Sequence, residues 1–211
     1  MMAQSAPAAS TRPALPYRPF LHAYAVILVV ATFILITLGG EVTSRGAGLA
    51  VPDWPGTFGH NMFTAPFEQW AQGGAFWEHS HRLKGSLVGF LTLGLAFWLR
   101  AVQWRKPILA WLLLLGIGAF VLLFWITANQ FLSPAAAAAP LLILLIAAAI
   151  YWFRPSQWQR PWLCWFSLAL LALVVIQGLM GGFRVTEIST TLALIHGVTG
   201  QVFLALTVLA A

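Results

Sequence analysis

Apolar residues in this chain come as long continuous runs. Stretches rich in Leu, Ala, Ile, Val and Phe extend over about 20–40, 79–99, 107–128, 135–152, 162–182 and 191–211, divided by clusters of Arg, Pro, Gly and Trp. A helix needs roughly 17 to 25 mostly apolar residues to cross a bilayer core, and all six segments reach or approach that length, 135–152 being the shortest. The runs lack the two-residue alternation of a membrane barrel strand, and lipid leaves helices and closed barrels as the only spanning forms. The pattern predicts an all-α fold, a polytopic transmembrane bundle of about six membrane helices.

Polar clusters orient the bundle. Arg12 and Arg18 precede the first helix, Arg100, Arg105 and Lys106 join the second to the third, and Arg154 and Arg160 join the fourth to the fifth. All fall on one side if every helix spans, and the positive-inside rule makes that side cytoplasmic. Residues 1–19, with their prolines and small residues, read as a cytoplasmic tail, and 20–211 as the transmembrane domain. A long outer loop, 41–78, and the short links "ANQFLSP" and "RVTEISTT" lie on the opposite side. Trp54, Trp70 and Trp77 border the outer loop, while Trp104, Trp111, Trp152, Trp158, Trp162 and Trp165 flank the inner ones, where interfacial aromatics belong. No internal repeat stands out. The chain stops at "FLALTVLAA", inside the sixth helix, so a fragment lacking its carboxy-terminal half is expected.

Composition sharpens the picture. The chain is 60% hydrophobic and 8% charged, where a soluble domain carries about a quarter charged residues. The net charge of +6 comes from basic residues scattered singly between apolar runs, which is not the basic face of a nucleic-acid binder. Cys164 is the only cysteine, which excludes an intrachain disulfide and a cysteine-based metal cluster.

The segment "AFWEHSHRLKGSLVGF" (75–90) concentrates Glu78, His79, His81, Arg82 and Lys84 in a chain with five acidic residues and five histidines in all. At the outer end of the second helix, Glu78 and His81 stand three residues apart and share a face, whereas His79 points about 160° away from His81. His196, in "TLALIHGVTGQ", lies about one and a half turns into the sixth helix, entered from the same side. Two histidines at similar depth suit axial imidazoles on opposite faces of a haem iron in a helix bundle. Gly85, Gly89, Gly197 and Gly200 leave room for a flat macrocycle. The plainer alternative is that either histidine is merely interfacial, although ionisable groups inside a membrane are costly and point to function. Arg184 is a candidate partner for a haem propionate, and Arg45 a second. His79 reads as interfacial, Arg82 and Lys84 as side chains snorkelling to headgroups, Glu41 and Asp53 as loop-ordering acids, and Glu187 as an acid near the start of the sixth helix. His22 and His60 receive no role.

"GGEVTSRGAGLAVPDWPGTFG", then "EHSHR", "QGLMGGFRVTE" and "LALIHG", resemble the amino-terminal half of haem A synthase, a family of cytochrome c oxidase assembly. The resemblance covers the first helix and loop, the second helix, and the chain from about 177 onward. It implies oxidation of a ring methyl of haem O to the formyl group of haem A, in a fold of two similar four-helix bundles that each carry a histidine pair. Carried onto this chain, the iron ligands are His81 and His196, and the acid implicated in catalysis is Glu78. The fold implied is a four-helix haem-binding bundle plus two extra helices, 107–128 and 135–152. The cysteine pair of some family members is absent from the first outer loop, and the second bundle is missing.

The resemblance also implies haem and iron as cofactors, with haem O as substrate. The partners implied are a protohaem farnesyltransferase, oxidase assembly factors, membrane lipids and a second copy of the chain, with no nucleic acid. The localisation expected is a bacterial-type plasma membrane, amino terminus cytoplasmic. Two other classes compete with this membrane oxidoreductase. One is a b-type cytochrome electron-transfer subunit holding a permanent haem on the same histidines. The other is a haem-free transporter, which the lack of paired Gly or Pro breaks in the helices disfavours.

Overall fold

The computed structural model describes residues 17–103 and 161–211. In chain order it has α1 (Pro19–Ser44), the short α2 (Phe67–Trp70), α3 (Gly73–Gln103), α4 (Pro161–Thr186) and α5 (Thr190–Ala210). Four of these, α1, α3, α4 and α5, are long and apolar enough to cross a membrane, which marks an integral membrane protein. Among the described residues there is no strand, only an isolated bridge between Thr57 and His60. The expected helices 107–128 and 135–152 lie outside the described residues, as does most of the 1–19 tail.

The loop expected over 41–78 spans 45–72 instead. The apolar run measures the hydrocarbon, whereas a helix continues for as long as its polar residues find partners. In α1, the Thr43 hydroxyl donates to the Gly39 carbonyl and Arg45 pairs with Glu41; in α3, Arg82 pairs with Glu78 one turn away. Both helices therefore project past the apolar zone.

The helix ends are closed by local chemistry. Pro19 opens α1 at a position where its missing N–H is no loss. At the other end, Gly46 takes a left-handed φ of 62°, and the amides of Gly46 and Ala47 return to the Thr43 and Val42 carbonyls, a Schellman closure. α4 ends the same way: Ile188 and Ser189 donate to Val185 and Arg184. Ile188 occupies the left-handed position with φ 49°. Ser189 then caps α5 by accepting the Leu192 amide at 3.2 Å, which turns the chain within three residues.

The four long helices form a closed ring in which α1 packs on α3 and α5, and α4 on α3 and α5. Ala25, Leu28, Val88, Leu95, Leu99, Leu170 and Phe203 make the apolar core, all toward the end away from the 45–72 loop. Outward faces carry residues such as Val30, Phe33, Leu194, Val198 and Leu209, as expected where the surroundings are hydrocarbon.

The ring reveals a repeat not apparent in the sequence. Ala25, Leu28, Gly39 and Gly46 of the first helical hairpin, α1 and α3, match Ser167, Leu170, Gly181 and Ile188 of the second, α4 and α5, at identical spacing. His81, Gly85, Val88 and Thr92 likewise match His196, Gly200, Phe203 and Thr207. Val88, Thr92, Phe203 and Thr207 are all buried. Five of these eight pairs are identical residues, but they stand among unlike neighbours at wide spacing, so sequence inspection passes over them.

Candidate functional site

His81 and His196 sit about 12 and 9 Å below the starts of α3 and α5 at 1.5 Å per residue. They occupy helices diagonal in the ring and face each other across its interior. Their ring centroids are 6.4 Å apart and the planes cross at 87°. Each Nδ1 is buried with no well-aligned hydrogen-bond partner, and the backbone carbonyls of Leu35 and Gln177, on the preceding helices, act on His81 and His196 respectively.

A glycine of the preceding helix stands close against each ring. A Cβ placed on Gly39 of α1 would stand 3.0 Å from His81 Cε1, and one on Gly181 of α4 would stand 3.2 Å from His196 Cε1. Each imidazole thus rests edge-on against the backbone of the helix that precedes its own in the hairpin. Beside His196, the Gln177 amide of α4 donates to the Thr199 hydroxyl of α5. Thr199 in turn donates to the Ile195 carbonyl at 2.7 Å, tying the two helices together next to the ring.

The donor set fits a metal held by two axial imidazoles. Two bonds of about 2 Å from ring nitrogens to one ion keep the centroids roughly 6 Å apart, close to the spacing found. No group of three His, Cys, Asp or Glu side chains gathers among the described residues. The charge of Arg184, near the end of α4, acts on both imidazoles, and that of Arg82 on His81 as well. Arg184 Nη2 donates to the Gly48 carbonyl at 2.6 Å.

The 45–72 loop closes this end of the ring through a buried polar network on α3. Arg82 donates to the carbonyls of Asp53 (2.6 Å), Gly56 (3.0 Å) and Val51 (2.8 Å), and to Glu78 Oε1 (2.8 Å). Glu78 Oε2 accepts the Val51 amide at 2.8 Å, so both oxygens of this buried carboxylate are engaged. Arg82 was expected to snorkel to headgroups; its side chain is only 9% exposed, because the loop supplies the carbonyls its five N–H groups require. His79, expected to be interfacial, is buried: its Nδ1 bonds the Thr57 hydroxyl at 3.0 Å and its ring lies 4.2 Å from that of Trp70.

Asp53 orders the loop as expected, accepting the Phe58 and Gly59 amides at 2.8 and 2.9 Å. Partial burial pushes its carboxyl pKa up, but those amides and the Arg82 charge outweigh it and hold the pKa below the ordinary 3.8. On the α4 side, Trp54 packs on Phe183 at 5.9 Å and lies against the bare backbone of Gly182.

The structure brings His81 and His196 together, and Arg184, bound to the Gly48 carbonyl, is close enough for its charge to act on both. Glu78 turns its carboxylate to the loop and Arg82. Arg45 is half exposed, bound to Glu41 at 2.9 Å and 4.3 Å above the Trp77 ring. Glu187 lies exposed in the turn before α5. Sequence reasoning missed Arg82 and His79 as loop anchors and Gly39 and Gly181 as seats for the histidines. The paired Gly-Gly motifs were the one available signal for the seats. No family model, curated protein or solved structure matches the chain.

Proposed function

We propose that this bundle binds haem between His81 and His196 and belongs to a haem A synthase-like membrane oxidoreductase, which oxidises a methyl group of haem O to a formyl group. The supporting observation is the pair of imidazoles that face each other across the interior of the ring, 6.4 Å apart. Haem iron, when bound, supplies the one-electron and oxygen chemistry that such an oxidation needs. The chain's own residues bind, orient and enclose. His81 and His196 hold the metal, Arg184 pairs with a propionate, and the strapped loop keeps water from this end of the site. Glu78 is the acid next to the ligand, held by Arg82 and the Val51 amide, and its part is to set the charge at the mouth of the site. The amino terminus lies in the cytoplasm of a bacterial-type cell and the loop faces outward, as Arg18 and Arg100 at the opposite end of the bundle favour. Haem O arrives from a farnesyltransferase, and the product goes to oxidase assembly.

A second reading is favoured by one observation. Glu78 is held toward the loop by the Val51 amide and by Arg82, whose charge balances its own, a structural use that suits a b-type cytochrome that only carries electrons. One experiment separates the two: reduced-minus-oxidised spectra with chromatography of extracted haem, on membranes containing this chain and a source of haem O. Formyl haem that disappears in His81→Ala and His196→Ala supports the oxidoreductase. Six-coordinate haem with no formyl product supports the electron carrier. Membranes without bound haem would sink both readings.

A further inference from the structure

Ligand histidines are usually oriented by a hydrogen bond from the second ring nitrogen to a carbonyl, a carboxylate or water. Neither His81 nor His196 has a well-aligned one at Nδ1; the backbone carbonyls of Leu35 and Gln177, on the preceding helices, act on the two rings, which stand at a defined 87°. A steric contact bears on each ring beside that carbonyl. In both cases it is the same contact: the ring's Cε1 edge fills the place where a Cβ would stand on a glycine of the preceding helix of the hairpin, with Nδ1 and Nε2 both farther, at 3.6 and 3.7 Å from that point. Two stretches of chain with different surrounding sequence arrive at the same geometry to within 0.2 Å, the difference between 3.2 and 3.0 Å.

The Gly-Gly pairs divide their labour. Nothing stands within 4 Å of a Cβ on Gly40, and Gly182 serves Trp54; only the first glycine of each pair meets an imidazole. A methyl group at Gly39 or Gly181 would press on the ring and make it yield by a few tenths of an ångström. Turning an axial imidazole changes the ligand field at the iron it holds.

We infer that Gly39 and Gly181 are paired positioning residues, each a steric seat that sets the plane of the histidine on the neighbouring helix and thereby the crossed orientation of the two axial ligands. The seats are a property of the polypeptide; only their effect on a bound iron rests on the haem reading.

The experiment therefore has two arms. The first uses double-mutant cycles on purified protein in detergent, read by melting temperature. Gly39→Ala lowers the melting temperature when His81 is present and loses that effect in the His81→Ala background, and Gly181→Ala behaves the same way toward His196→Ala. The crossed pairs, Gly39→Ala with His196→Ala and Gly181→Ala with His81→Ala, are additive. A Gly39→Ala penalty that is equal with and without His81 overturns the seat, because the glycine would then serve helix packing alone.

The second arm is the electron paramagnetic resonance spectrum of the ferric haem protein. Crossed axial planes give a strongly anisotropic low-spin signal, which shifts or gives way to a high-spin one in Gly39→Ala and Gly181→Ala and stays unchanged in Gly40→Ala and Gly178→Ala, where a methyl group meets open space. The same shift in all four variants overturns the inference. A wild type that binds no haem refutes the functional reading, and the cycles then decide the seats by themselves.

Discussion

Arg82 illustrates how far one side chain can depart from its reading in sequence. A basic residue near the end of an apolar helix normally extends its charge to water, but here four acceptors converge on it from the loop and from Glu78. Removing it leaves a buried carboxylate without its cation, which costs about 3 to 5 kcal/mol. Arg82→Ala should show this as a large drop in melting temperature and rapid proteolysis within 45–72; Arg82→Lys, which keeps the charge but loses the fork, should fall between. Asp53 gives a pH-dependent test in the same loop. Its folded pKa lies below 3.8, so its contribution is complete above that pH and is lost as acid carries it through the folded value. Wild type and Asp53→Asn should differ in loop protection near neutrality and converge below pH 3.8; a constant difference across that range would rule the account out. The sequence marked Glu78, His81 and His196 as unusual because ionisable groups are rare in an apolar run. It gave no sign of Arg82 as an anchor, since the carbonyls that hold it lie 26 to 31 residues away.

At the scale of elements, the four described spans were legible because each is a continuous apolar run, but their ends were not, because polar residues extend α1 and α3 beyond the hydrocarbon. The matched Schellman ends of α1 and α4 make one prediction. Ile188 holds a β-branched side chain at φ 49°, a conformation that costs non-glycine residues about 1 kcal/mol or more, and at 72% exposure it recovers little by burial. Ile188→Gly should therefore raise the melting temperature, while Gly46→Ile at the equivalent end of α1 should lower it. If Ile188→Gly were destabilising, the side chain would have a contact that outweighs the strain.

For the whole molecule, the chain should stay in the pellet when membranes are washed with alkaline carbonate, as a protein with four spanning helices must. Cys164 is the only cysteine and is buried, so Asn61→Cys in a Cys164→Ser background provides a single reporter in the loop. A membrane-impermeant maleimide should label it in intact cells; labelling only after permeabilisation would invert the proposed orientation. The sequence by itself determined that the chain is helical and membrane-embedded, because the length of an apolar run and the hydrogen-bonding needs of a backbone in lipid are local properties. It also singled out the two histidines as chemically out of place. Only the tertiary structure decided that they face each other at 6.4 Å, that a glycine seats each one, and that Arg82 and Glu78 hold the loop down. Those relations depend on which helices are neighbours in the ring and at what register they meet, and packing between residues distant in the chain sets both.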